Sequence, residues 1–208
     1  MKKKIIIGEK MTRKGVIVNW LYLSVFGLLA SIGFFNILRL YSNLSPKSYW
    51  IMSFVIYMIA MLFLTPTIGS SETLEFTTQY INYYYVKGFF NQFLEVIRIL
   101  KNKPEVPNTS MKTNQIIKVN LSYVEQLAGW AQKGYRLKMT FLMQDGSVFT
   151  IFPTSIQQME TGDYEKALQL LEQQHIEIVD KHNLRSVIST NSYIFQDYIE
   201  SLEKEQSK

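Results

Sequence analysis

The sequence predicts an α+β protein: a two-helix transmembrane hairpin, then a small antiparallel-sheet domain with C-terminal helices. Three observations predict it. Two apolar runs without a charged residue, Val16 to Leu38 and Tyr49 to Ile68, stand close together near the start of the chain. Downstream, residues of alternating polarity recur in short runs, as in half-buried strands. Toward the end, apolar residues recur at helical spacing.

The two apolar runs justify the hairpin. At a rise of 1.5 Å per residue they reach about 34 and 30 Å, against a bilayer core of about 30 Å. The link from Arg39 to Lys47 is short enough to join antiparallel neighbours. Six of the first 14 residues are Lys or Arg, while the link carries only Arg39 and Lys47. The positive-inside bias therefore places the N-terminus in the cytoplasm, and two spans return the chain to that side. A multi-pass cell-membrane protein with both termini cytoplasmic is expected. Trp20 and Tyr22 near one end, and Tyr41, Tyr49 and Trp50 near the other, suit interfacial aromatics. A cleavable signal peptide is the competing reading of the first run, but its apolar region is too long and no small-x-small site follows at the right distance. Ser24, Gly27 and Ser31 on the first span, with Ser53 and Ala60 on the second, form small-residue stripes. They serve packing within the hairpin or an oligomerisation seam. No ionisable residue interrupts either span, which argues against an ion route.

The expected segments are a basic cytoplasmic N-terminus (1–15), the hairpin (16–70), a cytoplasmic domain (72–182) and a tail (183–208). Leu74 to Val86 changes phase midway, reading as two short strands or one bulged strand. Lys87-Gly88 is a turn. Phe89 to Lys103 fits helix spacing, yet its β-branched Val96, Ile97 and Ile99 fit a strand as well. Lys103 to Thr113 reads as a loop. Ile117 to Tyr123 and Arg136 to Met143 read as strands, and Ser147 to Phe152 as the partner returning through Asp145-Gly146. That pair predicts a two-residue type I′ turn with both residues at positive φ. Pro153 ends this strand. Asp163 caps a helix to about Gln174 with Tyr164, Ala167, Leu168 and Leu171 inward. Ile176 to Val179 is a further short strand. Asn191 to Lys204 is amphipathic, its stripe being Phe195, Tyr198, Ile199 and Leu202: a docking helix for a partner, or packing on its own domain.

Strands and a terminal helix after a membrane hairpin resemble bacterial pleckstrin-homology-like membrane proteins. The resemblance is carried by Leu74-Glu75-Phe76-Thr77-Thr78, the run Tyr80 to Val86 and Gly88-Phe89-Phe90, and it covers residues 72 to 180. It implies a PH-like domain and supplies no catalytic residues. By analogy, the resemblance implies a role such as bacteriocin self-immunity or export, with which some hairpin proteins of this kind are linked.

Charge and composition narrow the function. Residues 1–47 hold eight basic side chains against Glu9, a net +7; of the 22 basic and 17 acidic residues overall, 14 and 16 remain for residues 48–208, a net −2. A nucleic-acid reader would carry its basic surface on the folded domain, so no nucleic-acid partner is expected. The chain has no cysteine, which excludes disulfides, thiol nucleophiles and Cys-ligated zinc. His175 and His182 read as surface histidines, and the Tyr80, Tyr83, Tyr84 and Tyr85 cluster as core or cross-strand pairs. No nucleotide, hydrolase or zincin motif occurs. No catalytic, cofactor or metal residues are expected. Arg98, Lys101, Lys103, Lys112 and Lys118, and Lys133, Arg136 and Lys138, are candidates to face an anionic leaflet, each near-surface cation adding about 1 kcal/mol. The expectation is a non-enzymatic membrane-anchored interaction or scaffold protein whose partners are the bilayer and another membrane protein or a second copy. An exporter accessory subunit and a lipid-acting enzyme are the alternatives.

Overall fold

The computed structural model describes residues 4–8, 10–41, 45–128, 132–153, 163–189 and 195–206. Lys2, Lys3 and residues 191–194 of the expected amphipathic segment lie outside the described residues, as does the side chain of Tyr41. The molecule is mixed α+β and divides into two units: residues 1–9, 72–84 and 107–208, and residues 10–71 with 85–106.

The first unit holds two four-stranded sheets. Strand β1 is Lys4–Ile7, β2 Glu72–Thr77, β3 Tyr80–Tyr85 and β4 Thr109–Lys112, and they lie side by side in that order. The segment Leu74 to Val86 is thus two strands, parted at Thr78-Gln79. Thr77 Oγ1 accepts a hydrogen bond from the Tyr80 backbone N–H at 2.9 Å, which shapes the link between them. The expected basic N-terminus (1–15) contains strand β1. Its Ile5, Ile6 and Ile7 are β-branched residues with high strand propensity, and they pair antiparallel with Phe76, Glu75 and Leu74. Ile5 and Ile7 are buried. Strand β4 falls in the expected loop; it pairs antiparallel with β3, with Met111 opposite Ile81. Only Met111 of its four residues is buried, so the strand left little hydrophobic pattern.

The second sheet has strand β5 Ile116–Ala128, β6 Gln132–Met143, β7 Val148–Ile151 and β8 Glu177–Asp180 in the order β7-β6-β5-β8. The pairs β5/β6 and β6/β7 are antiparallel. β8 lies parallel to β5, which corrects a purely antiparallel sheet. A parallel return needs a crossover, and helix α4, Asp163–Glu172, lies between β7 and β8 in the chain. Its Tyr164, Ala167, Leu168, Leu170 and Leu171 are buried. The Asp145-Gly146 hairpin is present but is not type I′. Gly146 N–H donates to Met143 O at 3.0 Å, Met143 pairs with Ser147, and only Gly146 (φ 82°) has positive φ. This is a three-residue loop with glycine at the left-handed position. Asp145 instead accepts hydrogen bonds from Ser147 N–H and Oγ, a role an acidic residue plays well in a turn.

Two further helices complete this unit, α5 Leu184–Ser189 and α6 Phe195–Gln206. Both contribute to the same core as the sheets, through Leu184, Val187, Ile188, Phe195 and Ile199. The expected boundary at residue 182 is therefore no boundary: burial of about 1.5–3 kcal/mol per large apolar side chain holds the tail to the domain.

The second unit contains helix α1 Arg13–Tyr41, helix α2 Pro46–Ile68 and helix α3 Phe89–Leu100. Both long helices pass the length and hydropathy requirements for a membrane span. Ser45 caps α2, accepting from Ser48 N–H at 3.3 Å, with Pro46 in the first turn. The Phe89–Lys103 ambiguity is resolved as helix, since its apolar residues find contacts at period 3.6: Val96 and Ile99 cluster with Val16 and Ile68. Asn102, in the left-handed conformation at φ 51°, ends it.

Candidate functional site at the root of the hairpin

The hairpin is polar and small inside, large and apolar outside. Ser24 Oγ and Tyr57 Oη are hydrogen-bonded at 2.6 Å between α1 and α2. Gly27 faces Met61 and Tyr57 so closely that a Cβ would lie 3.2 Å from the Met61 sulfur. Ser31 and Ser53 are buried and Ala60 is half-buried. By contrast Phe26, Leu29, Trp50, Phe54 and Phe63 are each at least 60% exposed. Phe35 meets Tyr49 and Trp50 at ring-centroid distances of 5.4 and 5.6 Å, closing the far end.

At the opposite end, where α1 begins and α2 stops, lies a cleft of about 300 Å³. Lys10, Met11, Thr12 and Arg13 line it from the α1 side, and Glu95, Arg98, Ile99, Asn102, Lys103 and Glu105 from α3 and its exit, with Ser71 between. Local chemistry positions each wall. Thr12 Oγ1 accepts from Gly15 N–H at 3.1 Å and caps α1. Arg98 grips Glu95 with Nε at 2.7 Å and with Nη2, and its Nη1 donates to Lys103 O at 2.6 Å. The hydrogen bond to Glu95 raises the Arg98 pKa above its ordinary value, with burial opposing, so the guanidinium stays charged. Lys10 Nζ lies 3.0 Å from Glu105. Four cations (Lys10, Arg13, Arg98, Lys103) face two carboxylates (Glu95, Glu105), a surplus of two positive charges. No histidine lines the cleft, and such a wall suits holding an anion by hydrogen bonds and charge rather than moving a proton.

The candidate cations are divided between the two units. Arg98, Lys101 and Lys103 belong to the hairpin unit, and the other five to the sheet unit. There Lys118 pairs with Glu177, Lys133 with Glu125, and Arg136 with Glu72. Lys112 and Lys138 are separate from these pairs. The candidate docking stripe is core: Phe195 and Ile199 are buried, and Tyr198 and Leu202 pack against the core. Gln196 fastens α6 to the start of β6, accepting from Tyr135 N–H at 3.1 Å and donating to Lys133 O at 3.2 Å. That corrects a free docking helix, because the stripe's apolar area is already covered.

His175 terminates α4 at φ 61°, and His182 rests edge-on against Tyr123 at 5.2 Å. Among the described residues no group of three His, Asp or Glu could hold a metal ion. Of the tyrosine cluster, Tyr84 is buried, Tyr80 is exposed, and Tyr83 donates to Glu72 at 2.7 Å. Sequence reasoning missed Arg185, which binds Glu165 through Nε and Nη2 and Glu172 through Nη1 and Nη2. It also missed Tyr135, whose hydroxyl donates to Glu203 at 2.6 Å and whose pKa is pushed up to about 12, first by that bond. Burial raises the Tyr164 pKa as well. The Glu95/Arg98 spacing of three was a legible signal; the cleft was not, because Lys10 and Arg13 reach it only when α1 meets α3.

Comparison with protein-family models, with curated proteins and with solved structures found no match.

Proposed function

We propose that this is a non-enzymatic, membrane-anchored interaction protein of the inner face of a cell membrane. Its hairpin spans the bilayer, and its two-sheet domain recognises another membrane protein. The observation that carries the reading is the division of the hairpin surface: hydrogen-bonding and small side chains between α1 and α2, large apolar ones outward. A soluble protein does not leave an apolar face of this extent uncovered. The pairing of β1, before the first helix, with β2, after the second, supports termini on one side, and the N-terminal cations support the cytoplasmic side. It also disfavours cleavage after the first helix, which would remove an edge strand. Two sheets with a terminal helix suit a PH-like domain, and immunity-type protection is the biological role in keeping with it. The basic cleft would grip an anionic headgroup at the inner leaflet.

Cysteine labelling with an impermeant maleimide in intact cells tests the topology. A cysteine at Ser42 is expected to label and one at Ser207 to resist until the cells are opened; the reverse pattern defeats the reading. Mild-detergent purification with the chain as bait then tests partner binding. Recovery of a stoichiometric membrane protein is expected, and a lone monomer counts against it.

A further inference from the structure

Helix α3 has two apolar faces, and the hairpin uses only one. Val96 and Ile99 are buried with Val16 of α1 and Ile68 of α2. At 100° per residue, Phe89, Leu100, Phe93, Ile97, Phe90 and Leu94 occupy a neighbouring arc of about 140°. Its far side is uncovered, with Phe90 79% exposed and Leu94 60%, while Phe93 and Ile97, nearer the hairpin, are half-buried. We propose that α3 is an interfacial membrane helix, its open arc immersed in the acyl–headgroup boundary of the same leaflet that the hairpin enters. The proposal rests on the spanning reading of α1 and α2.

Three observations choose lipid as the occupant. The arc is continuous with the outer surface of the span: the rings of Phe89 and Phe63 lie 5.7 Å apart, and Phe63 is 62% exposed on α2. Phe63 precedes the last residue of α2 by five positions, about 7.5 Å of helix, so Phe89 reaches the depth of embedded side chains. The helix is also clamped across the hairpin ends rather than hanging from them. Gln92 O lies so near Gly69 that a Cβ there would stand 2.1 Å away, and Val96 and Ile99 meet both long helices. Finally, cations flank the arc. Lys87 precedes it, and Lys101 and Lys103 follow. A lysine beside lipid lays its stem along the apolar surface and extends its ammonium to the headgroups. These cations stand at the two ends of the helix, where they can reach headgroups while the apolar arc is immersed by about 5–10 Å.

Because the chain has no cysteine, single cysteines can carry a nitroxide without background. The full-length protein in liposomes of phosphatidylcholine and phosphatidylglycerol, labelled at Phe90→Cys, Leu94→Cys, Asn91→Cys or Leu29→Cys, is read by collision with oxygen and with a water-soluble nickel chelate. Labels at Phe90 and Leu94 are expected to favour oxygen, at a depth shallower than Leu29, while Asn91 favours nickel. Nickel preference at Phe90 and Leu94, with Leu29 still in lipid, overturns the inference and leaves the spanning reading intact. Nickel preference at Leu29 overturns both. Exclusion of both reagents at Leu94, or dipolar broadening between labels, identifies a protein occupant and also overturns the inference.

Discussion

Replacing Gly69 with alanine asks whether α3 is seated on the hairpin. Gly69 has φ −80° and ψ −1°, a conformation alanine adopts without strain. On local propensity alone the exchange would be neutral or favourable, by up to about 1 kcal/mol. Packing reverses the sign. The new Cβ would lie 2.1 Å from Gln92 O and 2.8 Å from its carbonyl carbon, whereas real Cβ contacts are essentially never below 3.0 Å; 3.0 minus 2.1 requires α3 to retreat by 0.9 Å. A gap of about 0.5–1 Å forfeits a quarter to a half of each dispersion contact, so Val96 and Ile99 loosen from Val16 and Ile68. Overpacking of this kind costs about 1–3 kcal/mol. Hydrogen exchange of the full chain in lipid nanodiscs should then show α3 amides exchanging about 5- to 150-fold faster. Gly33→Ala is the control, because a Cβ at Gly33 meets nothing within 4 Å. Unchanged or slower exchange across α3 in Gly69→Ala would refute the packing argument.

Further outcomes are expected. Arg185→Met removes the bridge between Glu165 and Glu172; partial exposure limits the loss to about 1–2 kcal/mol, and urea titration should show it shrinking as salt rises. Gly146→Val places a β-branched residue at φ 82° and should cost about 1–3 kcal/mol, read as a lowered melting temperature. The Tyr135 pKa, raised to about 12 by the bond to Glu203, contributes stability that is full below the unfolded tyrosine value of 10.0 and lost as pH rises through about 12. Tyr135→Phe should abolish that alkaline phase of unfolding. The Asp145 carboxyl, held below its ordinary value first by the Ser147 hydroxyl and then by the Ser147 N–H, gives the opposite window. Its contribution is present above the unfolded value of 3.8 and lost as acid protonates the folded turn, an acid sensitivity that Asp145→Ala should remove.

What the sequence determined by itself was whatever depends on neighbours along the chain. Span length and charge-free composition marked α1 and α2, period-two alternation marked β2, β3, β5 and β6, and a glycine at the left-handed position marked the turn at Gly146. The i, i+3, i+4 spacing of Phe195, Tyr198 and Ile199 marked α6. In β5 and β6 the pattern recorded burial, since Val119 and Leu121, and Leu137, Met139 and Phe141, are buried at every second position; in β2 all of Thr73 to Phe76 are buried, and in β3 Ile81 and Tyr84. Tertiary structure alone decided what those faces meet. Ile5 to Ile7 became a strand because β2, arriving after the hairpin, offered its open edge. The α6 stripe became core because β6 and α5 cover it, and Gln196 reaches the Tyr135 amide. In Phe89 to Leu100 the helix spacing prevailed over the strand preference of Val96, Ile97 and Ile99, with Val96 and Ile99 packed against Val16 and Ile68 at the mouth of the hairpin. The cleft drew Lys10 and Arg13 to Glu95, Arg98 and Glu105 across more than 80 residues of sequence. Periodicity specifies that a face will be buried, whereas the partner that buries it is chosen by closing loops between distant segments, and no local window contains both sides of such a contact.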